Sequence, residues 1–187
     1  MVLTTTRRIG WDEYLQLPLT HYEIIDGEVN TLPTPLFKHQ QIVLELMIRL
    51  GAQVQREAKG YLVPAPFDVV IRRAPLRTRQ PDLLFLSRER ADQIPDLQNQ
   101  PRIEIAPELV IEVLSPSDTA SEWLEQLRDY HQIGVQEVWA VDPQSASVEV
   151  LRWSEAGWQS VGVFTGDQPI RSAVLGETAV APAMLFG

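Results

Sequence analysis

The chain is 187 residues long, has no cysteine and carries a formal net charge of -9. A length of this size suits one domain over 1–187, and 44% hydrophobic against 22% charged residues is the balance of an ordinary globular protein with a real core. Disulfides, thiolate metal sites and cysteine nucleophiles are excluded, and no apolar run reaches the ~18 residues of a membrane span.

Arg7 and Arg8 are not followed by an apolar stretch, so no secretory signal is read and a cytoplasmic location is expected. Trp11 to Leu15 reads as a short helix ending before Pro18. Tyr22 to Val29 carries a hairpin signal, two short apolar runs joined across Asp26-Gly27. From Phe37 to Ala58, Val43, Leu46, Met47, Leu50 and Val54 recur at helical spacing, and Gly60 is expected to stop that helix. Strands follow at Tyr61–Val63, Phe67–Ile71, Asp82–Leu86 and Leu109–Leu114. The Pro-punctuated stretch Ser87–Pro107 reads as a surface excursion with one helical turn.

A helix over Thr119–Ile133 is expected to close at Gly134, with a further buried strand at Glu137–Asp142. Val148–Trp153 and Trp158–Phe164 read as an antiparallel pair, and the tail from Pro169 is weakly patterned. Strand, helix, strand over 109–141 predicts a crossover unit. The fold class is therefore α/β, a mixed β-sheet flanked by helices with an N-terminal and a C-terminal hairpin. Its core covers about 10–155, and the C-terminal hairpin and tail cover 148–187.

Chemistry is concentrated in two carboxylates. Glu112 stands inside the apolar run Leu109–Leu114, and Asp82 heads the apolar strand that follows Pro81. An ionised carboxylate in a core costs several kcal/mol unless something offsets it. If the two strands are neighbours, the acids form a site for Mg2+ (or Mn2+), which takes one or two carboxylates with water and phosphate. The alternatives are a strand-end cap for Asp82 and a buried salt bridge for Glu112. Arg72, Arg73, Arg77 and Arg79 cluster around Pro75. They read as a solvated hairpin tip or as a local nucleic-acid-binding patch on an acidic chain, where affinity would rest on such cations.

Pro81-Asp82 followed by Glu112-Val113-Leu114-Ser115-Pro116-Ser117 resembles the PD-(D/E)xK nuclease pattern. More narrowly it is similar to the Uma-two family of restriction-endonuclease-like proteins, common in cyanobacteria. The likeness extends to Tyr22–Glu28, His39-Gln40, Pro66–Val69 and Gly134–Pro143, about residues 10 to 155 in all. It implies a restriction-endonuclease-like core, Mg2+-dependent phosphodiesterase chemistry and a DNA substrate. In the general motif a Lys stands two residues after the Glu, where this chain has Leu114. Similar members carry an Asp and a Lys one turn apart on the following helix, and the matching positions here are Glu122 and Gln126.

Glu122 also completes a capping box with Thr119. Gln126 can hold a water or a phosphate oxygen but cannot act as a base or bring positive charge. Arg128 lies too far round the helix to stand in; Arg79 is conceivable. His39, in phase with Val43 and Leu46, is a core histidine or, as the resemblance implies, a site residue acting as base or phosphate contact. Glu23 and Asp68 are candidates for supporting the site. The expectation is a metal-dependent DNA endonuclease with Asp82 and Glu112 as ligands, weakened by Gln126. The alternatives are a catalytically inactive nuclease-like module acting in dimerisation or nucleic-acid binding, or another metal-assisted hydrolase. A homodimer or higher homo-oligomer is expected, with Trp153 and Trp158 as a dimer surface or a cap on the core, and no membrane association.

Overall fold

Asp26 and Gly27 both have positive φ, 53° and 88°, which suits the two-residue loop of a twisted hairpin. They join β1 (Tyr22–Ile25) to β2 (Glu28–Thr31), with the single-turn helix α1 (Trp11–Tyr14) ahead of them. The computed structural model describes residues 8–18 and 21–186.

The long helix α2 (Phe37–Arg56) buries Ile42, Leu46, Leu50 and Val54 on one side. It does not run on to Gly60. Ala58 takes the left-handed conformation instead, with φ of 52°. Gly60 opens β3 (Gly60–Pro64), where a Cβ would lie 2.1 Å from the Leu86 carbonyl oxygen. Only glycine admits that approach of backbone to backbone.

Next come β4 (Asp68–Arg73) and β5 (Leu76–Arg79), an antiparallel pair. The sequence pattern places all four arginines of residues 72–79 on one turn, but only Ala74 and Pro75 make it. Charged side chains at Arg77 and Arg79 hide β5 from any apolar pattern, although the whole strand is buried. β6 (Leu83–Ser87) and the one-turn helix α3 (Arg88–Ala91) follow, then β7 (Arg102–Ile103), which pairs parallel with β4.

β8 (Leu109–Val113), α4 (Ala120–Ile133) and β9 (Glu137–Asp142) form the expected strand–helix–strand unit with β8 and β9 parallel. Thr119 and Glu122 make a complete capping box at the head of α4, and Gly134 closes it with φ of 91°. β10 (Ser147–Ser154) and β11 (Gly157–Thr165) pair antiparallel, and the tail adds the small pair β12 (Arg171–Ser172) and β13 (Gly176–Glu177). The main sheet has the order β11-β10-β9-β8-β6-β3 and is mixed.

Each face of that sheet has its own core. α2 and the tail cover Leu83, Phe85, Leu109, Ile111, Val113, Trp139 and Val141 on one side. On the other, α4 packs Leu127 and Tyr130 on Val110 and Val138, with Trp158 at the margin. Trp158 donates its indole N–H to the Leu127 carbonyl at 2.8 Å, and Trp153 stacks on His131 with ring centroids 3.3 Å apart. Both tryptophans thus hold the C-terminal hairpin to α4. Glu137, fully buried in β9, accepts hydrogen bonds from Trp139 Nε1, Ser172 Oγ and Ala173 N, and so ties the tail to the sheet. Among the described residues no helix is long and apolar enough to cross a membrane.

Candidate active site

β6 and β8 are antiparallel neighbours, with Leu83 opposite Ile111. Asp82 stands one residue before Leu83, so it meets Glu112 at the end of the pair. The Asp82 backbone N–H donates to Glu112 Oε2 at 3.3 Å, and the Val113 N–H donates to Asp82 Oδ2 at 2.8 Å. The two strands therefore fix both acids in relation to each other through their own backbones.

Helix α2 brings His39 onto this pair, with Nε2 3.1 Å from Asp82 Oδ2. Helix α4 approaches from the other side, where Tyr130 donates its hydroxyl to Glu112 Oε1. Burial first, and then the charge of Asp82, push the Glu112 carboxyl well above its ordinary range, partly countered by the Tyr130 hydroxyl. Burial and the neighbouring Glu112 raise the Tyr130 phenol as well. The hydrogen bond to Asp82 raises the His39 imidazole, against burial, which lowers it.

Above the pair opens a cavity of 560 Å³, and its lining includes Glu23, His39, Asp82, Glu112 and Gln126. Five of the sequence-selected residues thus share one space. Glu23 is held there by two contacts: Oε1 accepts from the Gln80 backbone N–H at 3.0 Å, and Oε2 accepts from Arg79 Nη1 at 2.7 Å. Asp68 does not reach the cavity. It lies behind Gln80, accepting from Gln80 Nε2 at 2.8 Å and from the Tyr14 hydroxyl at 2.7 Å, with burial raising its carboxyl. Glu122 is exposed and outside the cavity lining. Its carboxylate accepts from the Thr119 backbone N–H at 2.9 Å and from the Thr119 hydroxyl at 2.6 Å.

The four arginines are distributed differently from one patch. Arg77 and Arg79 are buried under α4, where Arg79 bonds Glu23 and Asp129 and Arg77 bonds Asp129 and Glu125. Burial draws the Arg79 guanidinium down, but Glu23 and Asp129 outweigh it and the net shift is upward. Arg72 pairs with Asp26, and Arg73 makes a two-pronged bond to Glu104 at 2.7 Å on each arm. Sequence reasoning does not find Tyr130 or Asp129. Both lie on α4 at positions an amphipathic pattern cannot tell from ordinary core and surface.

The donor set suits a hard divalent cation. Two carboxylates face each other, burial and mutual repulsion disfavour ionising both, and Asp82 Oδ1 accepts no hydrogen bond among the described residues. No group of three or more His, Cys, Asp or Glu is arranged as a metal centre among the described residues. Asp82 and Glu112 would therefore hold an ion with water and substrate completing its shell, as Mg2+ accepts.

Residues 11–183 match the Uma2 family, whose description is "Putative restriction endonuclease". Among solved structures the chain is similar to one described as a putative nuclease belonging to DUF820 from Anabaena variabilis. The TM-score is 0.75 at 23% identity, over 95% of this chain and 97% of that one. At that identity the likeness shows the shared fold. No curated protein matches.

Proposed function

The chain belongs to the Uma2 family, and from that premise we propose that the cavity is the active site of a metal-dependent phosphodiesterase acting on DNA. The observation that supports it most is the Asp82–Glu112 pair: two backbone-locked carboxylates at the floor of a cavity, one of them buried beside the other's charge. A divalent ion held by that pair would draw charge from a phosphodiester oxygen and lower the pKa of water.

The chain's own groups divide the remaining work. Glu112 is oriented by the Tyr130 hydroxyl and by the Asp82 N–H. His39 spends Nε2 on Asp82 Oδ2, where it can hold a proton that orients this carboxylate beside the reacting phosphate. Gln126 can donate or accept a hydrogen bond from the cavity wall but adds no charge. In hydrolysis a water oxygen bonds to phosphorus, one P–O ester bond breaks, and the leaving sugar oxygen takes up a proton. The positions Leu114 and Gln126 provide no cation for that step, which favours slow turnover. It also supports the second reading, a nuclease-like module that binds metal and nucleic acid without cleaving.

The test is calorimetric titration of Mg2+ and Mn2+ into wild type and Glu112→Gln, with plasmid nicking measured alongside. Metal binding that disappears in the variant, with nicking in wild type, supports the enzyme. Binding without nicking supports the second reading, and a wild type that binds no metal defeats both.

A further inference from the structure

We propose that Lys38 is the substrate-binding cation of this site, taking the phosphodiester of the bound strand; the inference rests on the phosphodiesterase reading above. The cavity is lined by four carboxylates, Glu23, Asp82, Glu112 and Asp118, and by a single Lys or Arg among the described residues, Lys38. With Glu23 neutralised by Arg79 and one divalent ion offsetting Asp82 and Glu112, Asp118 remains, and without Lys38 the cavity offers a polyanionic substrate no net attraction. Affinity for a phosphate oxygen then has to come from a side chain that is permanently charged and not already neutralised.

Lys38 meets both conditions. It precedes His39 in the first turn of α2, a turn with no acidic residue. Its ammonium donates one hydrogen bond, to the Pro143 carbonyl at 2.8 Å, which anchors it across the cavity mouth. It forms no ion pair among the described residues. Asp142, an acid it influences, is satisfied by the Ser145 hydroxyl and the Gln144 N–H, and Lys38 is a minor contributor to holding that carboxyl low. An ammonium has three donors, so two remain for a ligand. The buried arginines Arg77 and Arg79 cannot serve, because their guanidinium groups are held by Glu23, Glu125 and Asp129.

The sequence could not suggest this role, since Lys38 matches neither position at which a lysine would be sought. Proximity to the site arises only when α2 lays its first turn against the loop after β9.

Three full-length proteins test it: wild type, Lys38→Met and Lys38→Arg. The probes are Mn2+ alone and the dinucleotide d(TpT) in the presence of Mg2+, both by titration calorimetry, with thermal melting as a check on folding. Lys38→Met is expected to bind Mn2+ like wild type and d(TpT) about tenfold or more weakly, the worth of one lost charge-assisted contact. Lys38→Arg is expected to recover most of the dinucleotide affinity. If Lys38→Met binds d(TpT) like wild type, or if wild type does not bind d(TpT), the assignment is overturned. Loss of Mn2+ binding in wild type would instead overturn the metal reading. Weakened d(TpT) binding that Lys38→Arg fails to restore would mean that only the Pro143 anchor matters, and would also overturn it.

Discussion

Tyr130 donates its hydroxyl to Glu112 Oε1 from the opposite side of β8 to the one that α2 covers. The contact lets a carboxylate stand in a strand that is otherwise wholly aliphatic. Tyr130→Phe removes the donor and leaves that oxygen buried without it. The expected cost is about 1–3 kcal/mol, the penalty for an unsatisfied buried polar group, read as a lower urea midpoint.

The raised Glu112 carboxyl sets the pH dependence of the chelator-treated protein. A carboxyl whose folded pKa lies above its unfolded value contributes stability that is fully present below the unfolded value. That stability is lost as pH rises through the folded one. Urea midpoints should therefore fall as pH rises through that window. Glu112→Gln should flatten the fall, and added Mg2+ should reverse it in wild type alone. A wild-type midpoint that is level across the window would contradict the buried, repelling pair.

Arg79 stands between Glu23 of the cavity wall and Asp129 of α4, bonded at 2.7 Å to each. Arg79→Met leaves Glu23 buried without its cation and Asp129 with Arg77 alone, and removal of one member of a buried pair costs about 3–5 kcal/mol. Denaturant unfolding should show that loss, together with a disturbed cavity wall at Glu23. Arg73→Ala breaks an exposed pair with Glu104 and a cation–π contact over Trp11, so its unfolding midpoint should fall far less than that of Arg79→Met.

Thr119 and Glu122 stabilise the start of α4 and are expected to do nothing else. Thr119→Ala should cost about 0.5–2 kcal/mol, the usual worth of an N-cap, with Mn2+ affinity unchanged. Glu122→Gln retains the reciprocal cap, since Gln serves in a capping box, and should leave both stability and Mn2+ affinity near wild type. A marked drop in metal affinity in Glu122→Gln would place that carboxylate at the site after all.

Elements with strong local signals could be read directly from the sequence. The Asp26-Gly27 hairpin, the long helix α2, the capped and glycine-terminated α4 and the mixed α/β class all emerge where predicted. The pairing of Asp82 with Glu112 was also legible, because a charge inside an apolar run demands a partner. The same logic has a limit at Glu137, buried more completely still, whose partners are an indole, a hydroxyl and a backbone amide rather than a cation. Strand β5 and the Arg77–Asp129–Arg79 network stayed hidden because buried ion pairs look like surface charge in one dimension. Tyr130 and Lys38 were out of reach for a related reason: their roles come from how helices dock, not from any spacing within the helix.

Gln126 offers the most direct test of what limits the chemistry. It lines the cavity with Asp82 and Glu112, and it sits four residues after Glu122, on the same side of α4. An amide there can orient a water but cannot stabilise the charge that grows on phosphate oxygens in the transition state. Gln126→Lys keeps a side chain of similar length and adds that charge. The expected outcome is plasmid nicking at least about tenfold faster than wild type, a conservative figure against the ~10²–10³ that a single well-placed donor can be worth. Mn2+ affinity should stay level or fall slightly, since the new cation repels the ion. Double substitution with Lys38→Met separates the two cations. If the introduced ammonium merely replaces Lys38 in binding the strand, the double variant should nick like Gln126→Lys; if the two act on different oxygens, it should lose most of the gain.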